Sequence, residues 1–217
     1  MTANSPMYND NKLKLGIFSA NCSGGMAVTK VEERWENTWE NNLELVRQCD
    51  AAGIEFMLPI ARWIGYGGAT DFHGAVLETV TWAAGLLAHT QSIQIFATVH
   101  TAFNHPIVSA KQLATIDHLG NGRVGLNVVA GWNKPEYDAF GVELPAEHGQ
   151  RYAYAQEWFD YVQKLWTEEQ AFDWNGEFFH GTGVYSNPRP AQQHIPILNA
   201  AASEEGRNFA MQNADFL

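Results

Sequence analysis

The chain has 217 residues, of which 46% are hydrophobic and 17% charged, a balance typical of a globular protein with a sizeable core. Its net charge of −11 argues against a nucleic-acid backbone or an anionic membrane surface as the main partner. The two cysteines are in no metal-binding pattern, and the start of the chain does not look like a leader. No apolar run reaches the roughly 20 residues that a membrane span needs. These features predict a cytoplasmic protein that does not span a membrane.

The first part of the chain passes from a polar start to an apolar run and then to a helical period. We expect a disordered segment over residues 1–12 and one domain over residues 13–217. Residues 12–20 predict the first strand. Residues 38–52 predict a helix, because apolar side chains recur there at steps of three and four, namely Trp39, Leu43, Val46 and Cys49.

The same alternation continues through the rest of the chain. Apolar runs predict strands over residues 56–63, 93–100, 124–130 and 195–203, and helical spacing follows each of them. The helix after the third strand is predicted to stop at the turn-forming triplet Gly120, Asn121 and Gly122. Five successive strand–helix units imply parallel strands and therefore an α/β fold.

Two architectures fit this pattern, an open doubly wound sheet and a closed (β/α)8 barrel. The third strand has one apolar face, and its other face mixes Gln94, Phe96, Thr98 and His100. Helices on both faces of an open sheet would favour two apolar faces, so the mixed face favours the barrel. A complete barrel typically takes about 250 residues. The pattern therefore predicts the N-terminal part of a longer barrel, truncated after about five strand–helix units.

The polar side chains near the predicted strand ends are hydrogen-bonding, cationic or aromatic. The sequence has no facing carboxylate pair, no metal-ligand spacing and no GxSxG or Walker loop. Such a set suits holding a polar planar ligand and predicts that a cofactor supplies the reactivity. Each side chain also has a structural alternative: Asn127 could bond to the backbone, Arg62 could form an ion pair, and Glu136 could be a solvated loop carboxylate.

Two further features near the strand ends have a structural alternative as well. His100 could cap a helix or simply pack in the core. The glycine-rich loop of Gly65, Gly67 and Gly68 resembles a phosphate cradle only loosely and is better explained as turn chemistry.

Three stretches, GRVGLNVVAGWNKPEYDAFGV, RYAYAQEWFDYVQKLW and GEFFH…NPRP, resemble the bacterial-luciferase-like flavin-dependent monooxygenases. The resemblance runs from about Lys14 to the end, and the pattern is most similar to the pyrimidine and dimethylsulfone monooxygenases. It implies a (β/α)8 barrel that takes reduced FMN from a separate NAD(P)H-dependent flavin reductase. It also implies a homo-oligomer that oxygenates a small organic substrate with O2 through a C4a-peroxyflavin.

Matched position by position, the resemblance implies a cofactor-binding set of Ala61, Arg62, Asn127, Glu136, Arg151, Tyr152 and Ser203. Arg62 stands where the pyrimidine enzymes carry lysine. Asn127, a polar residue within an apolar strand, is expected to hydrogen-bond the flavin, and His100 is the candidate catalytic residue for hydrogen bonding or proton transfer.

The substrate and the exact role of the chain stay open at this point. A sulfone, a sulfonate and a nitrogen heterocycle all remain possible substrates. A non-catalytic flavin-binding or partner subunit and a deazaflavin-dependent oxidoreductase are the alternative functions on the same fold.

Overall fold

The computed structural model describes residues 5–217 and shows an α/β fold. Five strands follow one another in one sheet: β1 (Gly16–Phe18), β2 (Phe56–Leu58), β3 (Gln94–His100), β4 (Val124–Val129) and β7 (Ile197–Leu198). Strand β1 pairs with β2, β2 with β3, and β4 with β7, all in parallel. The parallel sheet confirms the predicted fold class, although three of the five strands, β1, β2 and β7, are clearly shorter than predicted.

Six α-helices lie in this described part: α1 (Trp39–Ala52), α2 (Thr79–Leu87), α3 (Pro106–Leu119), α4 (Lys134–Phe140), α5 (His148–Thr167) and α6 (Glu204–Asn213). None of these helices within residues 5–217 is long and apolar enough to cross a membrane. The chain divides into two compact units. The first contains the described residues up to Thr98 together with Leu119–Gly125, and the second contains Val99–His118 and Leu126–Leu217.

Local sequence explains where helices α1 and α2 begin and where α1 ends. The Thr38 side chain accepts a hydrogen bond from the Asn41 amide at 3.1 Å, which caps the start of α1. Gly53 ends that helix in the left-handed conformation, with φ of 75°. The Glu78 carboxylate accepts from the amides of Val80 and Thr81 at the start of α2, where a negative charge is also favoured by the helix dipole.

In the first unit, glycines in two strands make room for two phenylalanine rings. The Phe56 and Phe96 rings meet edge to face, with centroids 5.9 Å apart. The Phe56 ring lies against Gly16, and the Phe96 ring lies so close to Gly125 that a Cβ there would stand 2.5 Å from its Cδ1 atom. Glycine at positions 16 and 125 is therefore required by the packing.

Arg123 ties the first unit together before the start of β4. The residue is 4% exposed, and its guanidinium donates to the carbonyls of Leu87, Thr90 and Ile93 and to the Thr90 hydroxyl, at 2.9–3.1 Å. The Asp50 carboxylate accepts from three consecutive backbone amides, Gln91, Ser92 and Ile93. Burial raises the pKa of Asp50, but these bonds and the charge of Arg123 bring it below its ordinary value.

The N-terminal segment contacts the sheet of the first unit. Residues Pro6–Tyr8 form a 3-10 helix, Met7 is buried, and the Ser5 side chain bonds with Gln94. The Glu55 carboxylate binds the side chains of Asn9 and Asn11 and the amide of Leu15. Ser5, Asn9 and Asn11 thus have hydrogen-bond partners in the first unit. The disordered segment predicted over residues 1–12 stays a prediction, and residues 1–4 of it lie outside the described residues.

In the second unit, a hairpin that the sequence did not predict packs on α5. Its strands β5 (Phe172–Asn175) and β6 (His180–Val184) are antiparallel. The Glu157 carboxylate of α5 accepts from the Trp174 indole and from three consecutive amides in the hairpin turn, Glu177, Phe178 and Phe179. Tyr161 stacks on Trp174, with centroids 4.5 Å apart and an interplanar angle of 6°. Long-range contacts with α5 therefore hold the hairpin in place.

Candidate functional site

Ala61 and Arg62 lie just after β2, in the first unit, and the backbone before them is fixed by Asn21. The Asn21 amide bonds with both the N–H and the carbonyl of Ile60, at 3.0 and 2.9 Å, and also donates to the carbonyl of Leu77. Asn21 therefore fixes the point at which the chain leaves β2. Both Ala61 and Arg62 are half-buried.

The Arg62 guanidinium has an aromatic partner. Its Nη2 donates to the Tyr66 hydroxyl at 3.0 Å, and its Cζ atom lies 4.8 Å from the centroid of the same ring. The distance is typical of a cation–π contact. Tyr66 belongs to the glycine-rich loop, and nothing in the sequence pattern singled it out as a partner of Arg62.

Asn127 is the amide that the sequence places inside β4, and it is 5% exposed. It stands opposite Leu198 in the register of β4 and β7. Asn199 follows directly and is 3% exposed; its amide donates to the Val128 carbonyl at 2.8 Å, while its Oδ1 atom has no hydrogen-bond partner within residues 5–217. Two buried amides thus lie in the second unit, one within β4 and one just after the neighbouring strand β7.

Glu136 lies in the first turn of α4 and is 1% exposed, so the alternative of a solvated loop carboxylate is wrong. The neighbouring Tyr137 is also buried, and its hydroxyl donates to the Ala130 carbonyl at 2.9 Å. Burial raises the pKa of Tyr137 to about 12, although the positive charge of Arg151 lowers it. Helix α4 was not predicted, because a seven-residue helix gives only a weak periodic signal.

His100 is linked to α4 through one aromatic ring, that of Phe103. The His100 and Phe103 rings meet edge to face at 5.4 Å, and Phe103 in turn contacts Tyr137 at 4.8 Å and stacks on Phe140 at 4.3 Å. His100 itself is 6% exposed. The structure therefore brings the candidate catalytic residue and the helix of Glu136 to a common apolar cluster.

Arg151 and Tyr152 open α5 and reach different neighbours. The Arg151 guanidinium donates to the carbonyls of Gly131 and Ala146, at 3.4 and 3.2 Å. In the described part of the chain no carboxylate lies within ion-pair distance of Arg151, and its buried Nε has no partner. A guanidinium bound only to carbonyls keeps its full positive charge available to an anion.

Tyr152 connects α5 with the start of α6. A Cβ at Gly206 would stand 2.5 Å from the Tyr152 hydroxyl, so only glycine permits this approach. Ser203 caps α6 by accepting from the Gly206 amide at 3.1 Å. Burial raises the pKa of Tyr152, while a hydrogen bond with the Ser203 side chain lowers it. Tyr152 and Ser203 therefore meet at a helix N-terminus, where the dipole favours an anion.

The second unit contains six of the eight predicted site residues, and Ala61 and Arg62 lie in the first. In the second unit Tyr152 and Ser203 both lie beside Gly206, and His100 contacts Phe103, which contacts the helix of Glu136. Tyr66 and Tyr137 were not predicted from the sequence as neighbours of the site residues. No group of three or more potential metal ligands occurs in residues 5–217.

Comparisons with known proteins agree with the pattern in the sequence. The model of the luciferase-like monooxygenase family matches residues 13–217. The pyrimidine monooxygenase RutA of Allorhizobium ampelinum is 36% identical over 204 residues, which are 94% of this chain and 55% of that protein. RutA of Yersinia enterocolitica is 36% identical over 205 residues, with the same coverage. These matches confirm the resemblance to the luciferase-like family, and the chain spans about half the length of these curated relatives.

Solved structures share the fold. The long-chain alkane monooxygenase LadA superposes with a TM-score of 0.79 at 22% identity, covering 95% of this chain and 56% of its own. Riboflavin lyase RcaE, solved with a modified FMN and riboflavin, superposes with a TM-score of 0.77 at 24% identity, covering 92% of this chain and 52% of its own. Together with the family match, these superpositions confirm the prediction of a barrel of the luciferase-like type.

Proposed function

Because the chain belongs to the luciferase-like monooxygenase family, we propose that it forms part of a monooxygenase that uses reduced FMN and O2 to oxygenate a small organic substrate. The observation that carries this proposal is the start of α5. There Arg151 has no carboxylate partner in the described residues, and Tyr152 and Ser203 meet at the N-terminus of α6. A cation, two hydroxyls and a helix N-terminus fit the phosphate of FMN.

The remaining predicted cofactor residues fit the polar edge of a flavin ring. Asn127 offers an amide with two donors and an acceptor, and Glu136 offers a carboxylate that is 1% exposed. Ala61 and Arg62, in the loop after β2, belong to the proposed set through the resemblance to the family.

Reduced FMN, when bound, supplies the activation of O2 that oxygenation requires. The chain's own residues then have three tasks: they bind the cofactor, orient it and exclude water. The apolar cluster of Phe103, Tyr137 and Phe140 serves the third task, since its rings pack at 4.3–4.8 Å. His100, in edge-to-face contact with Phe103, is the residue proposed to hold or move a proton.

The substrate, the partners and the setting of this activity belong to the same proposal. The relatives named pyrimidine monooxygenase favour a nitrogen heterocycle, while a sulfone or a sulfonate remains an alternative. We further propose a separate NAD(P)H-dependent flavin reductase as the source of reduced FMN, a homo-oligomeric state and a cytoplasmic location.

The test is FMN binding by wild type and by Arg151→Met, measured by fluorescence titration and by the shift in melting temperature that saturating FMN produces. We expect FMN to raise the melting temperature of the wild type and Arg151→Met to bind FMN about tenfold more weakly, as the loss of a charged hydrogen bond predicts. Arg47→Met is the matched control, because Arg47 is an exposed arginine of α1, in the other unit.

A wild-type chain whose melting temperature does not respond to FMN would overturn the proposal. Equal loss of affinity in the Arg151 and Arg47 variants would remove Arg151 from the site. Where FMN binds, substrate-dependent O2 consumption with a flavin reductase separates the monooxygenase from a flavin-binding subunit that does not turn over.

A further inference from the structure

The glycine-rich loop after β2 builds a stack of rings that ends on Arg62. The Arg62 guanidinium lies on the Tyr66 ring, Tyr66 stacks on Phe72 with an interplanar angle of 20°, and Phe72 stacks on His73 with centroids 3.8 Å apart. We call Arg62, Tyr66, Phe72 and His73 the arginine column. Tyr66 is 52% exposed and His73 is 3% exposed, so the column runs from the surface into the first unit.

The buried end of the column is fixed by hydrogen bonds. The Nε2 atom of His73 lies 2.7 Å from the Gly25 carbonyl, and because a carbonyl only accepts, Nε2 must carry the proton. The Ser19 hydroxyl donates to the same carbonyl at 3.1 Å, and the His73 amide donates to the Ser23 carbonyl at 3.3 Å. The imidazole therefore has one tautomer and one position.

The backbone of the loop is shaped to hold the rings in this order. His73 has a φ of 55°, a left-handed conformation that is uncommon for residues other than glycine. A Cβ at Gly65 would stand 2.5 Å from the His73 carbonyl oxygen, so only glycine fits there. The Tyr66 amide donates to the Phe72 carbonyl at 3.1 Å, which closes the loop. The glycines thus permit tight turns that support the column.

We propose that Tyr66, Phe72 and His73 are positioning residues, which hold the Arg62 guanidinium in one orientation so that it donates to an acceptor oxygen of a bound ligand. This inference rests on the proposed function, in which Arg62 belongs to the ligand site. A mobile arginine loses side-chain entropy when it binds, and an arginine that is already held in place loses less. The ligand oxygen is a carbonyl of the flavin or a sulfonyl, carboxylate or carbonyl oxygen of the substrate.

The test compares Tyr66→Phe, which keeps the ring and loses the hydroxyl, with Tyr66→Leu, which loses both. We expect Tyr66→Leu to weaken ligand binding by about two- to tenfold and Tyr66→Phe to have a smaller effect. A fall in FMN affinity identifies the flavin as the ligand. An unchanged FMN affinity with a raised KM and little change in kcat identifies the substrate. If neither changes, the proposal is overturned.

Two controls separate positioning from a structural role. Tyr185→Leu removes a tyrosine of similar exposure, 50%, from the second unit and should leave ligand binding unchanged. In the Arg62→Met background, Tyr66→Leu should add almost nothing, because Tyr66 acts through Arg62. Full additivity of the two substitutions would overturn the proposal.

A measurement without ligand tests the arginine column independently of the proposed function. In protein labelled with 15N-arginine, the Arg62 side-chain resonances, assigned by their loss in Arg62→Lys, should show slow rotation about Nε–Cζ in wild type and faster rotation in Tyr66→Leu. Free rotation in wild type would overturn the column whatever the flavin does. A wild type that shows slow rotation but binds no FMN and oxidises no substrate would support the column and overturn the proposed function.

Discussion

Two arginines of the first unit, Arg123 and Arg62, show how the same side chain serves two purposes. Arg123 is 4% exposed and donates four hydrogen bonds to carbonyls and a hydroxyl of the α2–β3 connection. Arg62 is half-buried and lies on the exposed ring of Tyr66. The first arrangement stabilises the fold, since losing it leaves several buried acceptors without donors. The second holds a charged group against an aromatic ring that is half-exposed at the surface.

The largest expected effect comes from replacing these two arginines in turn. Arg123→Met leaves the carbonyls of Leu87, Thr90 and Ile93 without their donor, and we expect it to lower the free energy of unfolding by about 3–5 kcal/mol. Arg62→Met removes the contacts with the Tyr66 ring and hydroxyl, and we expect it to lower the free energy of unfolding by a smaller amount, about 1 kcal/mol. Urea denaturation of both variants measures the difference. Equal losses would show that Arg62 is also a structural residue.

Replacing Asp50, whose carboxylate lies near Arg123, should have a second and smaller effect on stability. Asp50→Asn keeps the shape of the side chain but loses a charge that accepts from three amides, and we expect a loss of about 1–3 kcal/mol at pH 7. Its folded pKa is lowered, so its stabilising effect is present above the unfolded value of about 3.9 and disappears as pH falls through the folded value. Asp50→Asn should therefore weaken the loss of stability in acid. An acid profile identical to that of wild type would contradict this assignment.

Substitutions at two glycines compare the packed sheet with the open loop. Gly125→Ala places a methyl group 2.5 Å from the Phe96 ring, and we expect it to cost about 1–3 kcal/mol of folding stability. Gly67→Ala, in the loop of the arginine column, meets no atom within 4 Å and carries only the cost of a φ of 63°, about 1 kcal/mol. Melting curves of the two variants test this order, and a larger loss at Gly67 would reverse it.

A last contrast, which depends on pH, concerns Glu55, whose carboxylate binds the N-terminal segment. Hydrogen bonds from Asn11, from Leu15 and from Asn9 lower its pKa to about 2, against the raising effect of burial. A lowered folded pKa stabilises the fold above the unfolded value of about 4.3, and this contribution is lost as the pH falls towards 2. Glu55→Gln should reduce the change in stability between pH 5 and pH 2. Proteolysis of residues 5–15 should also become faster in this variant at pH 7. An unchanged cleavage rate would show that Glu55 does not hold the N-terminal segment.

Helix ends were predictable where one residue carries the local geometry. Gly53 ends α1 in the left-handed conformation, and α3 ends at Leu119, just before the predicted turn of Gly120, Asn121 and Gly122. The hairpin of β5 and β6 was missed, although Asn175 and Gly176 form a common turn signal. Its position depends on Glu157 and Tyr161 of α5, and such long-range contacts leave no periodic pattern in the sequence.

The candidate site also has features that the sequence predicts and features that it does not. The residue types of the candidate site could be predicted from the motif around Asn127 and from the resemblance to the family. The burial of Glu136 was not readable, because the short helix α4 and its contact through Tyr137 with Phe103 arise only when two separated segments pack. The sequence likewise gave no reason to assign Arg62 and Arg123 to different roles.

The sequence by itself determined the succession of the five parallel strands, each followed by a helix, the α/β class and the family, because these follow from periodic side-chain patterns and from local backbone preferences. Only the tertiary structure decided which polar groups are buried and which distant groups of the chain they meet. Arg123 meets its acceptors 30 to 36 residues away along the chain, and the column under Arg62 closes on Gly25, 48 residues before His73. Hydrogen bonding and ring stacking act through space at a few ångströms, so the fold had to bring these partners together before their roles could be told apart.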